Sequence, residues 1–96
     1  MKVGFVGLGL IGGSMAKAYR EYSNEGSLSY ELYGYDRDAS ILSFAMLDGT
    51  LNGELTDENI KKCDLIFIAL YPVASVEYLK NKSHLFGHDT VIIDLC

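Results

Sequence analysis

The sequence predicts an α/β fold, a doubly wound parallel sheet whose strands alternate with helices in one small domain. Two segments lead to this prediction. The apolar run at residues 3–6 passes through a glycine-rich turn into a helical pattern, and the run at residues 65–70 is apolar without interruption. Such an unbroken run is typical of a central strand covered on both faces. The alternation of strand and helix patterns then favours right-handed parallel crossovers.

Length, charge and composition limit the classes of protein to which the chain can belong. The chain has 96 residues, a hydrophobic content of 49% and a net charge of −5. Its lysines and arginines are scattered, which argues against a nucleic-acid partner. The apolar runs are far shorter than the ~20 residues of a membrane span, so no membrane association is expected. With no secretion signal ahead of the first strand, we expect a cytoplasmic protein with reduced thiols at Cys63 and Cys96.

The first strand leads directly into a G-x-G-x-x-G pattern, followed by helical periodicity from Leu10 to a polar cluster at residues 23–27. The first glycine permits a tight turn, the second lets a pyrophosphate approach the backbone, and the third lets the helix pack on the strand. The N–H groups of the first helical turn then face the phosphates. A glycine turn that only shapes this corner is the alternative interpretation. The predicted cofactor-binding residues here are Gly7, Leu8, Gly9, Leu10, Ile11 and Gly12.

The second strand, residues 31–35, ends at Asp36 and Arg37. A carboxylate at this position can accept hydrogen bonds from the adenosine ribose and repels a 2′-phosphate, so Asp36 favours NAD over NADP. Arg37 is expected to stack on adenine, although an arginine here can also meet a phosphate, which leaves NADP open. The alternative role for Asp36 is an N-cap of the helix that begins near Ala39.

The later elements complete a Rossmann-type sheet of about five strands in the order 3-2-1-4-5, ending before a sixth strand. They are a helix over residues 38–47, a strand over 51–55, a helical turn over 58–62, a strand over 65–70, a helix from residue 72 and a strand over 90–95. Thr56 or Asp57 is expected to cap the helical turn. In the helix over residues 38–47, the positions expected to face the core are Ile41, Leu42, Ala45 and Met46. Val73, Val76 and Leu79 continue the helix that begins at residue 72.

The turn Leu70-Tyr71-Pro72 ends the strongest strand. Ligands of open α/β sheets bind at the carboxyl ends of the strands, so this turn is expected beside the glycine loop as part of the cofactor site. Tyr71 either flanks the nicotinamide ribose or is an exposed turn tyrosine. His84 and His88 are four residues apart, but no acid or cysteine completes a ligand set, so we expect solvated histidines and no metal site.

Four segments resemble the prephenate and arogenate dehydrogenases: Gly7-Leu8-Gly9-Leu10-Ile11-Gly12-Gly13-Ser14, Gly34-Tyr35-Asp36-Arg37, residues 64–73 and residues 91–94. The resemblance covers essentially the whole chain, although the family usually places a small or β-branched residue where Tyr71 precedes Pro72. It implies NAD-dependent oxidative decarboxylation of prephenate to 4-hydroxyphenylpyruvate in tyrosine biosynthesis. Arogenate as the substrate stays open.

The same resemblance implies that residues 1–96 are the NAD-binding domain only. In the family, the catalytic histidine, the arginine contacts to the substrate and the dimer interface belong to a following helical domain. We therefore expect a fragment that binds NAD, carries no catalytic residue and is inactive alone, and a homodimer at full length. The last strand would then leave an apolar edge open to self-association. Alternatives are the nucleotide domain of another NAD(P)-dependent β-hydroxyacid dehydrogenase or pyrroline-carboxylate reductase, and a non-catalytic nucleotide-binding module.

Overall fold

The computed structural model describes residues 1–26 and 29–95. The strands are β1 (Lys2–Val6), β2 (Glu31–Tyr35), β3 (Gly53–Glu54), β4 (Leu65–Ile68) and β5 (Val91–Asp94). The α-helices are α1 (Leu10–Glu25), α2 (Ala39–Leu47), α3 (Asp57–Ile60) and α4 (Pro72–Lys82), with a 3₁₀ turn at Ser83–Leu85. Part of the polar turn predicted after α1, and the thiol of Cys96, lie outside the described residues. Within the described ranges no helix combines the length and apolarity that a membrane crossing requires.

The strands form one parallel sheet in the order β3-β2-β1-β4-β5, which confirms the predicted fold and strand order. In the middle of the sheet, Phe5 of β1 lies opposite Gly34 of β2 and Phe67 of β4. Because all the strands run the same way, the carboxyl ends of β1, β2 and β4 meet at one edge of the sheet. The residues that follow those three strands are therefore neighbours in space.

One face of the sheet is covered by α1 and α2. Val3 and Phe5 are completely buried there, and Leu32 of β2 lies beside them. The ring of Phe5 stacks on Phe67 with a centroid distance of 5.5 Å, and Tyr19 of α1 meets Phe5 edge-on at 5.9 Å. This aromatic cluster fixes α1 over β1 and β4, and so fixes the position of the amino end of α1.

The other face is covered by α3 and α4. Val6, Ile66 and Ile68 have no exposed surface, and Ile60 at the end of α3 packs against the same cluster. Thr56 begins α3 with a reciprocal capping box, in which its hydroxyl accepts from the Asn59 N–H at 3.3 Å and its own N–H donates to the Asn59 side chain at 2.8 Å. Thr56 is thus the cap, and the helical turn begins at Asp57 rather than at residue 58.

The predicted inward face of α2 is half wrong. Leu42 and Ala45 pack against the core, but Ile41 is 38% exposed and Met46 is 42% exposed. The reason lies in the strand beneath the helix, because β3 has only two residues and offers α2 little sheet to cover. Helical periodicity identifies residues that share a face, but not how much apolar surface that face meets.

The apolar residues of α4 do not share one buried face. Leu79 packs against the core, whereas Val73 and Val76 are 75% and 54% exposed. The helix instead turns Ser75 inward, where its hydroxyl donates to the Leu70 carbonyl oxygen at 3.3 Å. A small side chain at this position allows the first turn of α4 to lie close to the end of β4.

Three strands are shorter than predicted, and β3 differs most. The predicted strand at 51–55 is reduced to Gly53–Glu54, because the chain crosses the sheet edge there: Leu51 is buried on the α1 side and Leu55 on the α3 side. β4 ends at Ile68 instead of residue 70, and β5 spans Val91–Asp94 instead of residues 90–95. β5 forms one edge of the sheet, and self-association through it stays a prediction.

The buried thiol of Cys63 makes stability depend on alkaline pH. Burial, reinforced by the charge of Asp64, raises the pKa of Cys63 from 9.0 to about 11. The thiol ionises at lower pH in the unfolded chain than in the folded protein. The free energy of unfolding is therefore unaffected below about pH 9 and decreases as the pH rises from about 9 to about 11. We expect a loss of about 2 kcal/mol over this range.

Urea denaturation at several pH values, compared between the wild type and Cys63→Ala, measures this loss. The alanine variant has a lower stability at neutral pH, but it should show a shallower decline between pH 9 and pH 11. Burial also raises the pKa of Tyr78, to about 12, which leaves a decline at higher pH in both proteins. Equal slopes in the two proteins would contradict the assignment to Cys63.

Candidate dinucleotide site

The turn between β1 and α1 lies between the ends of two other strands. Gly7 has a φ of +93°, a conformation that residues with a Cβ rarely adopt. Its N–H donates to the Tyr35 carbonyl oxygen at 2.8 Å. A Cβ on Gly7 would lie 2.5 Å from the carbonyl oxygen of Ala69. The turn therefore contacts β2 on one side and the end of β4 on the other, and it requires glycine on both conformational and steric grounds.

The other two glycines of the pattern have opposite surroundings. A Cβ at Gly12 would collide with the carbonyl oxygen of Gly7, so α1 packs directly on the turn. A Cβ at Gly9 would meet no atom within 4 Å. The fold therefore needs glycine at position 12 for its own packing. At Gly9 the open space is on the outside, where a ligand can approach the backbone closely.

The amino end of α1 has no partner of its own among the described side chains. Gly9 is its N-cap and supplies no side-chain hydrogen bond, and the first turn contains no acidic residue. The Gly13 N–H donates to the Gly9 carbonyl oxygen at 2.7 Å, so the N–H groups of the three residues before Gly13 have no acceptor within the helix. Three amides and the positive end of the helix dipole suit an anion such as a diphosphate.

Asp36 is tied to the glycine turn by a direct hydrogen bond. Its Oδ2 accepts from the Leu8 N–H at 2.9 Å, and its Oδ1 accepts from the Asp38 N–H at 2.9 Å. Each carboxylate oxygen can accept a second hydrogen bond, since an ionised carboxylate has about four acceptor positions. The carboxylate is therefore held in place by the protein backbone and can still accept from a ligand's hydroxyl groups.

The alternative role of Asp36 as a helix cap is wrong. The N-cap of α2 is Asp38, whose Oδ1 accepts from the N–H and the hydroxyl of Ser40 at 3.0 and 2.6 Å. The helix accordingly begins at Ala39 and not at the cap residue. Two acids separated by one residue thus have different tasks, one beginning α2 and the other facing the glycine turn.

Two adjoining cavities open at the carboxyl edge of the sheet. The first, of about 510 Å³, lies along the glycine turn and the end of β4. The second, of about 500 Å³, lies between the ends of β2 and β3 and one side of α4. Both are lined by Asp36, Arg37, Leu70 and Ala74. The two cavities form one elongated cleft with Asp36 and Arg37 at its middle.

Nine of the predicted site residues line this cleft: Gly7, Gly9, Leu10, Ile11, Gly12, Asp36, Arg37, Leu70 and Tyr71. Two predicted residues do not line it. Leu8 is a core residue, only 7% exposed, that contributes its N–H to Asp36, and Pro72 forms the first turn of α4. Whether these residues bind a cofactor stays a prediction, but the fold brings the predicted set to one place.

Sequence reasoning missed the contribution of α4. Ala74 lines both cavities, and Tyr78, one turn further along the same helix, lines the second. Their spacing of four residues, directly after a proline that starts a helix at a strand end, is the signal that was available.

Tyr71 lies at the outer rim of the cleft. Its side chain is 88% exposed, as is that of Leu10, and Ile11 is 57% exposed. The exposure agrees with a turn tyrosine, and its position on the cleft agrees with a ligand contact, so both predicted roles stay open. His84 and His88 are exposed. In the described ranges no three His, Cys, Asp or Glu side chains come together in a way that could hold a metal ion.

The chain is similar in structure to several solved proteins. No family model matches the chain. Solved structures similar to it are Synechocystis arogenate dehydrogenase, with a TM-score of 0.87 at 23% identity, and A. aeolicus prephenate dehydrogenase in complex with hydroxyphenyl propionate and NAD+, with 0.81 at 25%. A third is Plasmodium falciparum pyrroline carboxylate reductase with NADP bound, with 0.68 at 24%. These likenesses confirm the fold.

The matches cover nearly all of this chain but only part of each solved protein. They cover 100%, 98% and 100% of the chain, and 33%, 32% and 33% of the three solved proteins. The chain thus spans about a third of the length of the enzymes it resembles. Two of the three are solved with NAD+ or NADP bound.

Proposed function

We propose that this chain is the NAD-binding domain of a prephenate dehydrogenase, with arogenate as the alternative substrate. The observation that carries the proposal is the hydrogen bond between the Asp36 carboxylate and the Leu8 N–H. It holds the ribose-binding candidate next to the glycine turn, where the two cavities of the cleft meet. The similarity to arogenate and prephenate dehydrogenases supports the substrate class.

The residues present fit the cofactor in three ways. The open space at Gly9 and the uncapped amino end of α1 suit the diphosphate. Asp36 can accept from the hydroxyls of the adenosine ribose, and the guanidinium of Arg37 can stack on the adenine. Tyr71 and the exposed side chains of Leu10 and Ile11 would lie on the nicotinamide side. When bound, the nicotinamide would accept the hydride released from the substrate.

The remaining parts of the proposal concern the whole enzyme. We propose that it oxidatively decarboxylates prephenate to 4-hydroxyphenylpyruvate in the cytoplasm as a homodimer, and that the domain alone is inactive. No residue of this chain is assigned to the proton transfer. A protein that joins this domain to the family's helical domain should form NADH when given prephenate and NAD+, whereas the domain alone should form none. NADH production with a hydroxy acid or an imine, but not with prephenate, would instead favour another reductase.

Titration calorimetry of the chain with NAD+ and NADP+ tests the binding function directly. We expect a dissociation constant for NAD+ between micromolar and millimolar, because this domain closes on the cofactor from one side only. NADP+ should bind about tenfold more weakly or worse, since its 2′-phosphate would lie against the Asp36 carboxylate. Equal or tighter binding of NADP+ would overturn the role given to Asp36 and favour the reductase alternative, which the NADP-bound reductase structure represents.

A further inference from the structure

The second cavity lies beyond Asp36, where the base of a dinucleotide would extend. If the proposed function holds, the ribose is at Asp36, the diphosphate runs toward Gly9 and the base must enter the cavity between β2, β3 and α4. Leu70 and Ala74 offer apolar contacts at its entrance. The polar groups on its inner wall then decide which base is accepted. This inference therefore rests on the proposed function and concerns the selectivity of the same site.

Tyr78 supplies a hydrogen-bond donor on that wall. Its ring packs against Tyr35 with a centroid distance of 6.1 Å. The hydroxyl forms no hydrogen bond with the described residues. Every buried side-chain oxygen among those residues has a partner, so the Tyr78 hydroxyl is not buried and is open to solvent, and the residue lines the cavity. Burial and the charge of Asp57 raise the pKa of Tyr78 to about 12, so the hydroxyl keeps its proton at neutral pH.

Asp57 supplies an acceptor close to that donor. It is the first residue of α3, and its Oδ1 accepts from the Lys82 ammonium of α4 at 2.7 Å. Its side chain is 64% exposed, and both residues line the second cavity. Lys82 lies one helical turn beyond Tyr78 on α4, so its ion pair holds the Asp57 carboxylate on the side of the helix that carries the phenol. Lys82 occupies one carboxylate oxygen, and the other can accept from a ligand.

The geometry points to Tyr78 and Asp57 as the residues that read the base, and to adenine as the base they select. Adenine presents an amino donor next to a ring-nitrogen acceptor, which complements a carboxylate beside a hydroxyl donor. Hypoxanthine presents a carbonyl oxygen in place of the amino group, and that oxygen would face the carboxylate. Lys82 is a positioning residue, because it acts on the base through Asp57.

Titration calorimetry with NAD+ and with nicotinamide hypoxanthine dinucleotide tests this selectivity. The two ligands share their diphosphate, riboses and nicotinamide and differ only in the base. We expect the wild type to prefer NAD+ by about tenfold, the value of one hydrogen bond to a charged group. Tyr78→Phe and Asp57→Asn should each reduce the preference to about threefold or less, while Lys82→Met should weaken it partially.

Matched controls separate base reading from general damage. Glu58→Gln removes one negative charge from the same short helix, and Tyr33→Phe removes a hydroxyl that donates to Glu31 outside the cavity. Both should keep the wild-type preference. Circular dichroism of each variant checks that the fold is retained.

Each outcome has a distinct meaning. Equal binding of the two dinucleotides by the wild type overturns the inference and leaves the proposed function intact. Failure of both to bind overturns the proposed function, and the inference with it. A wild-type preference that survives Tyr78→Phe and Asp57→Asn unchanged overturns the assignment to these residues. A preference lost in those variants and kept in the two controls supports it.

Discussion

Replacing Asp36 by alanine is expected to weaken NAD+ binding by about 10- to 100-fold, the loss that follows when hydrogen bonds to a charged acceptor are removed. NADP+ binding should change little, because the lost acceptor is offset by the lost repulsion of the 2′-phosphate. The preference for NAD+ should therefore largely disappear. Calorimetric titration of both cofactors measures the ratio directly.

Two further variants show which property of Asp36 matters. Asp36→Asn keeps the size and one acceptor oxygen but removes the charge, so it should retain part of the NAD+ affinity and relieve the repulsion of NADP+. Asp38→Asn removes a charge two residues away, and asparagine is as good an N-cap for α2, so it should leave the selectivity unchanged. A folded Asp36→Ala protein with wild-type selectivity would reject the ribose-binding role.

The second large effect is expected from alanine at the third glycine of the turn. In Gly12→Ala the new methyl group would collide with the Gly7 carbonyl oxygen, which belongs to backbone that cannot move without displacing β1. We expect a loss of about 3 kcal/mol or more in unfolding free energy. For a domain of this size that corresponds to a fall in melting temperature of about 15 °C or more, which a thermal melt measures.

Gly9→Ala is the matched control, because the same chemical change is made where no atom lies within 4 Å. Its backbone φ of −70° is accessible to alanine, so the melting temperature should stay close to that of the wild type, within about 1 kcal/mol in stability. Its NAD+ affinity should fall by about tenfold, because the methyl group occupies the space proposed for the diphosphate. Similar stabilities for Gly9→Ala and Gly12→Ala would contradict the steric argument.

Local spacing in the sequence was enough to predict the sheet order and to name residues that line the first cavity of the candidate site. The glycine pattern, the strand before it and the acid after the second strand all lie within short segments whose conformation is set by their own residues. The distinction between Asp36 and Asp38 was beyond that reasoning, because either acid can cap a helix at this point. Only the position of the glycine turn relative to β2 decides which carboxylate meets the Leu8 N–H.

The second half of the site could not be predicted for a different reason. Tyr78, Asp57 and Lys82 belong to two helices that are brought together only by the crossover connections of the sheet. No fixed spacing in the sequence marks such a group. The prediction for α2 failed at Ile41 and Met46 for a related reason. Periodicity orders the residues around a helix axis, but the rotation of the helix depends on the surface beneath it.

The bond between Leu8 and Asp36 also bears on how a ligand is received. The protein's own hydrogen bonds hold the turn and the carboxylate together, so no loop has to be ordered at the moment of encounter. The entropic cost of arranging this half of the binding surface is met during folding and does not reduce affinity. The ligand should accordingly dock onto a preformed surface at this half of the site. Any induced fit should be confined to the half that would hold the nicotinamide.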